Sequence, residues 1–251
     1  MPSNPGMKVE VVIPYRDRGT DPLRAANLHR VLEHWATFNA PVTVASDNLT
    51  GPFNRSQAYN NAIRSSDADI FVLTEADMVI DHEQIHRGIQ AAIQPGVVIP
   101  FTQRNELTPE HSELVRTGTP PTPLMPADIK YAPRRIGAIN IISRHTYNQV
   151  GQFDPAMSGN WWDDRSMELA FEMCTAPTRW IDANGQAFTK TELRTGTPQP
   201  AVAYHLYHLP GHAGTHLTPE DRAATASNQQ RFKRYRRAQT PEQIRHLTAG
   251  K

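Results

Sequence analysis

Apolar and polar positions alternate with two periods along this chain, and their order predicts strands interleaved with helices. Residues 8–14 are rich in β-branched side chains and end in Pro14-Tyr15-Arg16-Asp17-Arg18, a buried strand running into a polar loop. Behind Asp21, a residue that can cap free amides, and Pro22, suited to a first helical position, Leu23, Ala26, Leu28, Val31, Leu32 and Trp35 recur at helical spacing. That helix is expected to reach about residue 38. Residues 41–46 predict a second strand closing on Asp47, and Arg55–Ser65 a second helix. The apolar run Ile70–Thr74 predicts a third, buried strand that delivers Glu75-Ala76-Asp77 at its carboxyl end, before a helix over 83–93. Such alternation argues for a parallel α/β sheet, in which ligands bind outside the carboxyl ends of the strands.

The second half is less regular. After a strand at 97–101 the pattern loosens into a Pro-rich loop. A strand over 136–143 and a short helix Arg144–Val150 ended by Gly151 follow. Helix 163–173, strands Arg179–Ile181 and 201–208, and a terminal helix Pro219–Arg237 complete the expectation. The reading assigns residues 1–218 to one α/β domain and 219–251 to a basic helical extension packed on it or trailing from it.

With 251 residues, 38% of them hydrophobic, the chain can bury a full core. The 26 Lys and Arg nearly cancel 25 Asp and Glu, which excludes a protein that grips polyanions with its whole surface. No apolar run approaches the roughly 20 residues of a membrane span, and no signal-peptide pattern opens the chain. The lone Cys174 excludes an internal disulfide, so a cytoplasmic protein with a core thiol is the expectation.

Four clusters can carry chemistry. Two carboxylates one residue apart, Glu75 and Asp77, can face a divalent cation with the hard oxygen ligands that suit magnesium or manganese; the alternative is a solvated turn. His205 and His208 are candidate ligands, although on an extended segment they would face opposite sides unless the chain turns between them. Gly159-Asn160-Trp161-Trp162-Asp163-Asp164 leads two acids into a helix start, either as a cap or as a general base beside aromatic rings that can stack on a sugar. Arg16, Arg18 and Arg55 suit phosphate oxygens, and are otherwise ordinary surface arginines.

In this order the pieces resemble the GT-A glycosyltransferases, in particular the β-1,4-galactosyltransferases, the polypeptide N-acetylgalactosaminyltransferases and family 2-like enzymes. Ile13-Pro14-Tyr15-Arg16-Asp17-Arg18 is similar to the galactosyltransferase Ile-Pro-Phe-Arg-Asn-Arg segment, and Phe53-Asn54-Arg55-Ser56-Gln57-Ala58 to Phe-Asn-Arg-Ala-Lys-Leu. Glu75-Ala76-Asp77 stands where the family has Asp-x-Asp. Gly137 to Gly151, Phe153-Asp154 and Gly159 to Asp164 resemble its Gly-x-x-Asn-x-x-Ser-Arg, Gly-Phe-Asp and Gly-Trp-Gly-Gly-Glu-Asp stretch, with Trp-Trp in place of Gly-Gly. The match runs from about Val11 to His208.

The resemblance implies a Rossmann-like, mostly parallel sheet flanked by helices. It implies a metal, manganese before magnesium, on Asp77 and His208, with Glu75 and His205 as further candidates. It implies a UDP-sugar donor against Pro14, Tyr15, Arg16, Arg18, Asp47, Phe53, Arg55, Glu75, Ala76, Trp161 and Trp162. Asp164 takes the place of the catalytic base and Asp163 that of the acceptor-binding acid. Transfer with inversion is the expectation, with retention open, and the acceptor is a glycan, a protein or modified DNA. Two other readings stand beside it: a zinc hydrolase built on His205, His208, His212 and His216, and a nucleotide- or carbohydrate-binding module without catalysis. Arg231, Lys233, Arg234, Arg236 and Arg237 are expected on a solvated face of the last helix rather than on nucleic acid.

Overall fold

A computed structural model describes residues 6–131, 136–211 and 214–251. The order is β1 Val9–Pro14, α1 Pro22–Trp35, β2 Val42–Ala45, α2 Arg55–Ser65, β3 Ile70–Thr74, β4 Met78–Ile80, α3 His82–Ala91, β5 Val98–Ile99, β6 Gln103–Leu107 and α4 Pro109–Arg116. It continues with β7 Ala127–Tyr131, β8 Ile139–Ser143, α5 Arg144–Val150, α6 Asp163–Cys174, β9 Arg179–Ile181, β10 Ala187–Thr189, α7 Lys190–Thr195, β11 Val202–His205, α8 Pro219–Arg237 and α9 Pro241–Thr248.

Buried β-branched runs make the large sheet. Its order is β10-β9-β5-β8-β3-β1-β2, and β3 and β8 are buried at every position, as strands covered on both faces must be. The parallel pairs β1–β2, β1–β3 and β5–β9 set five strands in one direction, and the antiparallel pairs leave β8 and β10 running against them. The sheet is therefore mostly parallel, with helices packed on it. Asp21 caps α1 as expected, its Oδ1 accepting from Leu23 N at 3.0 Å, and Asn54 Oδ1 caps α2 by accepting from Gln57 N at 2.8 Å.

A second sheet, β4-β11-β6-β7, is absent from the sequence reading. It uses the segment expected to be a Pro-rich loop: β6 and β7 pair there in antiparallel register, with α4 between them. β11 is shorter than the expected 201–208 strand, and after His205 the chain leaves the sheet. Glu75-Ala76-Asp77 joins β3 of the large sheet to β4 of the small one, so both sheets converge on that tripeptide.

The terminal helix is docked, not solvated on all sides. Asp154, completely buried, receives Arg231 Nε in an ion pair and the Tyr235 hydroxyl at 2.8 Å. Arg231 also donates to the Leu247 carbonyl at 2.6 Å, so the expectation of a solvated Arg231 is corrected, whereas Lys233, Arg234, Arg236 and Arg237 are exposed. Cys174 is half-buried, with Sγ 3.9 Å from the Pro241 carbonyl, and burial raises its pKa.

Candidate active site

The site grows from the end of β3. Asp77 is buried at 3% exposure, its carbonyl accepting from Leu206 N at 2.8 Å. Its carboxylate meets two imidazoles: Oδ1 lies 3.6 Å from His205 Nε2 and Oδ2 lies 3.3 Å from His208 Nε2. Because the chain leaves β11 after His205, both rings reach the same carboxylate, with centroids 5.1 Å apart. Three contacts hold the segment that makes this possible. Leu209 N donates to Asp21 Oδ2 at 2.9 Å, Tyr207 N to Ser112 Oγ at 2.7 Å, and Asn27 Nδ2 to the Tyr207 carbonyl at 3.2 Å. The His208 Nδ1 is 2.7 Å from the Leu209 carbonyl; with a proton on Nδ1 donated there, Nε2, which faces Asp77, is the nitrogen that can bind a metal.

Burial by itself would raise the Asp77 pKa, but His205, His208, Arg24 and Arg104 outweigh it and hold the group below its usual value. His205 is pushed down by burial in spite of the pull of Asp77, so its ring is neutral. One ionised carboxylate and two imidazoles form a ligand set for a divalent cation. Their ligand atoms lie within 4.8 Å of one another. The buried Asp77 Oδ1 has no hydrogen-bond partner, a cost of about 1–3 kcal/mol that a bound cation would remove. Manganese fits these residues better than magnesium, which prefers oxygen ligands. Among the described residues this is the one such group; His216 is not part of it, and His212 lies outside the described residues.

Glu75 is outside that group. It pairs with the Arg55 guanidinium, which also donates to Asp163 Oδ2 at 2.7 and 3.0 Å and to Asp164 Oδ1 at 2.7 Å. Burial opposes the charge of Arg55, but the three carboxylates drive its pKa well above normal. Arg55, expected on phosphate, is thus directed at acids. Asp163 and Asp164 begin α6, yet neither is the cap: the cap position is Trp162, which makes no side-chain capping bond, and both acids turn to Arg55. Burial, Asp163 and Glu75 push Asp164 up to about 7 against Arg55, while 37% exposure of its side chain leaves it within reach of water. Gly137, at φ +133°, gives Asp164 room, because a β-carbon there would stand 2.9 Å from Oδ2.

Trp161 and Trp162 have φ of +71° and +74°, where side chains larger than glycine cost about 1–3 kcal/mol each. Trp162 packs on Phe232 at 5.1 Å and under Arg165 at 4.6 Å, and Trp161 is 47% exposed. The remaining expected donor residues are placed as follows. Arg16 forms an ion pair with Asp47 at 2.9 Å, bonds the Gly51 carbonyl at 2.9 Å, and lies 5.9 Å over Phe53. The Asp47 side chain is sealed from solvent and also accepts from Asn54 N at 2.8 Å. Arg18 reaches Asp221 at 2.6 Å, on the first turn of α8. Pro14, at the end of β1, and Ala76 are buried, and Tyr15 is half-buried.

Neither a protein-family model nor a curated protein matches the sequence. Solved structures do. GalNAc-T7, solved with UDP, GalNAc and Mn2+, aligns over 92% of this chain at a TM-score of 0.50 and 13% identity. The fold is GT-A. A Drosophila β1,4-galactosyltransferase 7 aligns over 64% at a TM-score of 0.43 and 15% identity. The mannosyltransferase PcManGT of Pyrobaculum calidifontis aligns over 97% at 0.42 and 13%. The chain spans 48% of the length of GalNAc-T7, 59% of the fly enzyme and 68% of the mannosyltransferase. At such identities the likeness is one of fold.

Sequence reasoning missed Arg24, whose Nη1 lies 3.9 Å from Asp77 Oδ2 and Nη2 3.2 Å from His208 Nδ1. A basic residue in the first turn of a helix has no motif around it, and only the approach of the His208 segment to α1 gives it a place. Asn27 and Ser112 were missed for the same reason.

Proposed function

We propose that this chain is a divalent-metal-dependent glycosyltransferase that moves a sugar from a nucleoside-diphosphate sugar to an acceptor hydroxyl. The observation that carries the reading is the meeting of Asp77, His205 and His208 next to a second cluster, Glu75, Arg55, Asp163 and Asp164, at the point where the two sheets join. Asp77 and His208 would hold manganese or magnesium, with His205 as a third ligand. When bound, that ion supplies Lewis-acid charge to a diphosphate leaving group.

Asp164 acts as general base for the acceptor hydroxyl. A carboxyl with a pKa of about 7 matches proton transfer near neutral pH, and the oxygen not bonded to Arg55 is the one that accepts the proton. Arg55 orients both acids, Asp163 is positioned for an acceptor hydroxyl, and Trp161 offers an exposed ring to a sugar face. Direct attack on the anomeric carbon gives inversion. UDP is the proposed nucleotide, as in the GalNAc-T7 complex. A cytoplasmic location, and residues 219–251 as an extension of the single catalytic domain, belong to the same reading.

The test is thermal stabilisation and calorimetric binding with UDP- and GDP-sugars, with and without manganese, followed by transfer to glycan, peptide and modified-DNA acceptors. Metal-dependent donor binding is the expected result. No binding of any nucleotide sugar with manganese present sinks the proposal.

A further inference from the structure

The charge around Asp77 includes two arginines that the ligand set leaves aside, Arg24 and Arg104, and Arg104 is already paired with Glu106 at 2.6 Å. Arg24, in the first turn of α1, lies 3.9 Å from Asp77 Oδ2, 3.8 Å from Asp21 Oδ2 and 3.2 Å from His208 Nδ1. None of these is a well-made bond. The Asp77 and Asp21 contacts are long, and His208 Nδ1 cannot accept from Arg24 when its proton is engaged by the Leu209 carbonyl at 2.7 Å. The Arg24 side chain keeps 41% of its surface in solvent, so it can move without disturbing the core. Asp21 is already committed, one oxygen to Leu23 N and the other to Leu209 N, and offers no stronger hold.

We propose that Arg24 is an exchangeable cation of the site. As the side chains stand, it is a positive charge set against Asp77; once a divalent ion occupies that carboxylate, repulsion turns the guanidinium outward, where it grips the diphosphate of the donor. Two cations cannot share one buried carboxylate at this distance without mutual cost, and a diphosphate bridging them removes it. The planar donor fork of arginine suits phosphate oxygens bidentately. The assignment also supplies a phosphate-binding arginine, since Arg16, Arg18 and Arg55 each contact acids within the chain. It rests on the proposed donor class.

The proposal makes opposite predictions for the metal and the nucleotide. In calorimetry with the full chain, Arg24→Gln binds Mn2+ alone about 3- to 10-fold more tightly than wild type, because a competing charge is gone. With Mn2+ saturating, the same variant binds UDP or GDP about 10-fold more weakly. Arg24→Lys, which keeps the charge and the helix, leaves Mn2+ affinity near wild type and weakens nucleotide binding, and it serves if the Gln variant does not fold. Mn2+ affinity unchanged or weaker in Arg24→Gln, or nucleotide affinity unchanged in both variants, overturns the role of Arg24 and leaves the glycosyltransferase reading intact. A wild-type chain that binds neither Mn2+ nor nucleotide removes both.

Discussion

Single side chains divide the site into a part that holds charge and a part that moves a proton, and their variants separate. Asp77→Asn removes the one carboxylate of the metal group and is expected to abolish the manganese-dependent rise in melting temperature with a nucleotide sugar. Asp164→Asn is expected to keep that rise and to lower kcat by about 10²- to 10⁴-fold. With wild type, kcat/KM should climb with pH through about 7, as the Asp164 carboxyl loses its proton. The same shift opposes stability. Its folded pKa is raised from 3.8, so the stability it contributes at low pH is lost as pH rises toward 7, and Asp164→Asn should melt above wild type at pH 8. His34 works in the other direction. Burial first, then His82 and Arg30, lowers its pKa from 6.5 to about 4, its ring 4.4 Å from that of His82. Its folded form is neutral, so stability is full above pH 6.5 and falls toward pH 4, by up to about 3 kcal/mol. Denaturant melts of wild type and His34→Gln across that range check it: the variant should show a flatter profile.

Among the elements, α8 explains how a strained turn is held beside the acids. Asn228 Nδ2, buried on α8, donates to the Ser158 carbonyl at 2.8 Å and to the Trp161 carbonyl at 3.1 Å, and Thr225 Oγ1 donates to the Asn160 carbonyl at 3.1 Å. These bonds clamp residues 158–161, with Trp161 and Trp162 in left-handed conformations. Asn228→Ala is expected to cost about 1–3 kcal/mol, for the two carbonyls it leaves without this donor, and to lower kcat more than donor affinity, since Asp163 and Asp164 follow the turn directly. Equal loss in binding and turnover would speak against it. At this scale the sequence was legible wherever a cap and a period agreed: Asp21 and the stripe of Leu28, Val31, Leu32 and Trp35 mark α1, which ends at Trp35 rather than near residue 38. It was illegible for β6 and β7. Gln103-Arg104-Asn105-Glu106-Leu107 carries charge on alternate positions, with Arg104 and Glu106 partly exposed and Gln103, Asn105 and Leu107 buried, so two amides occupy places where a period-2 pattern would show apolar residues.

For the whole molecule, the C-terminal helices close the core behind the site. Asp154 is buried with Arg231 and Tyr235 as its partners, and losing one side of a buried ion pair costs about 3–5 kcal/mol. Arg231→Met should therefore lower the midpoint of unfolding sharply, and a chain ended after Thr218 should fail to give a soluble, cooperatively melting protein. A truncated chain with wild-type melting behaviour would contradict this. The sequence by itself determined the first three strands and the helices after them, because buried β-branched runs and helical periods are set by local pattern, and so it located Glu75 and Asp77 after β3 and Asp163 and Asp164 at the start of α6. Only the tertiary structure decided which groups meet. Asp77 reaches His205 and His208 through a small sheet whose strands come from distant segments, and Arg24 and Arg55 take their partners from helix packing that no local spacing encodes.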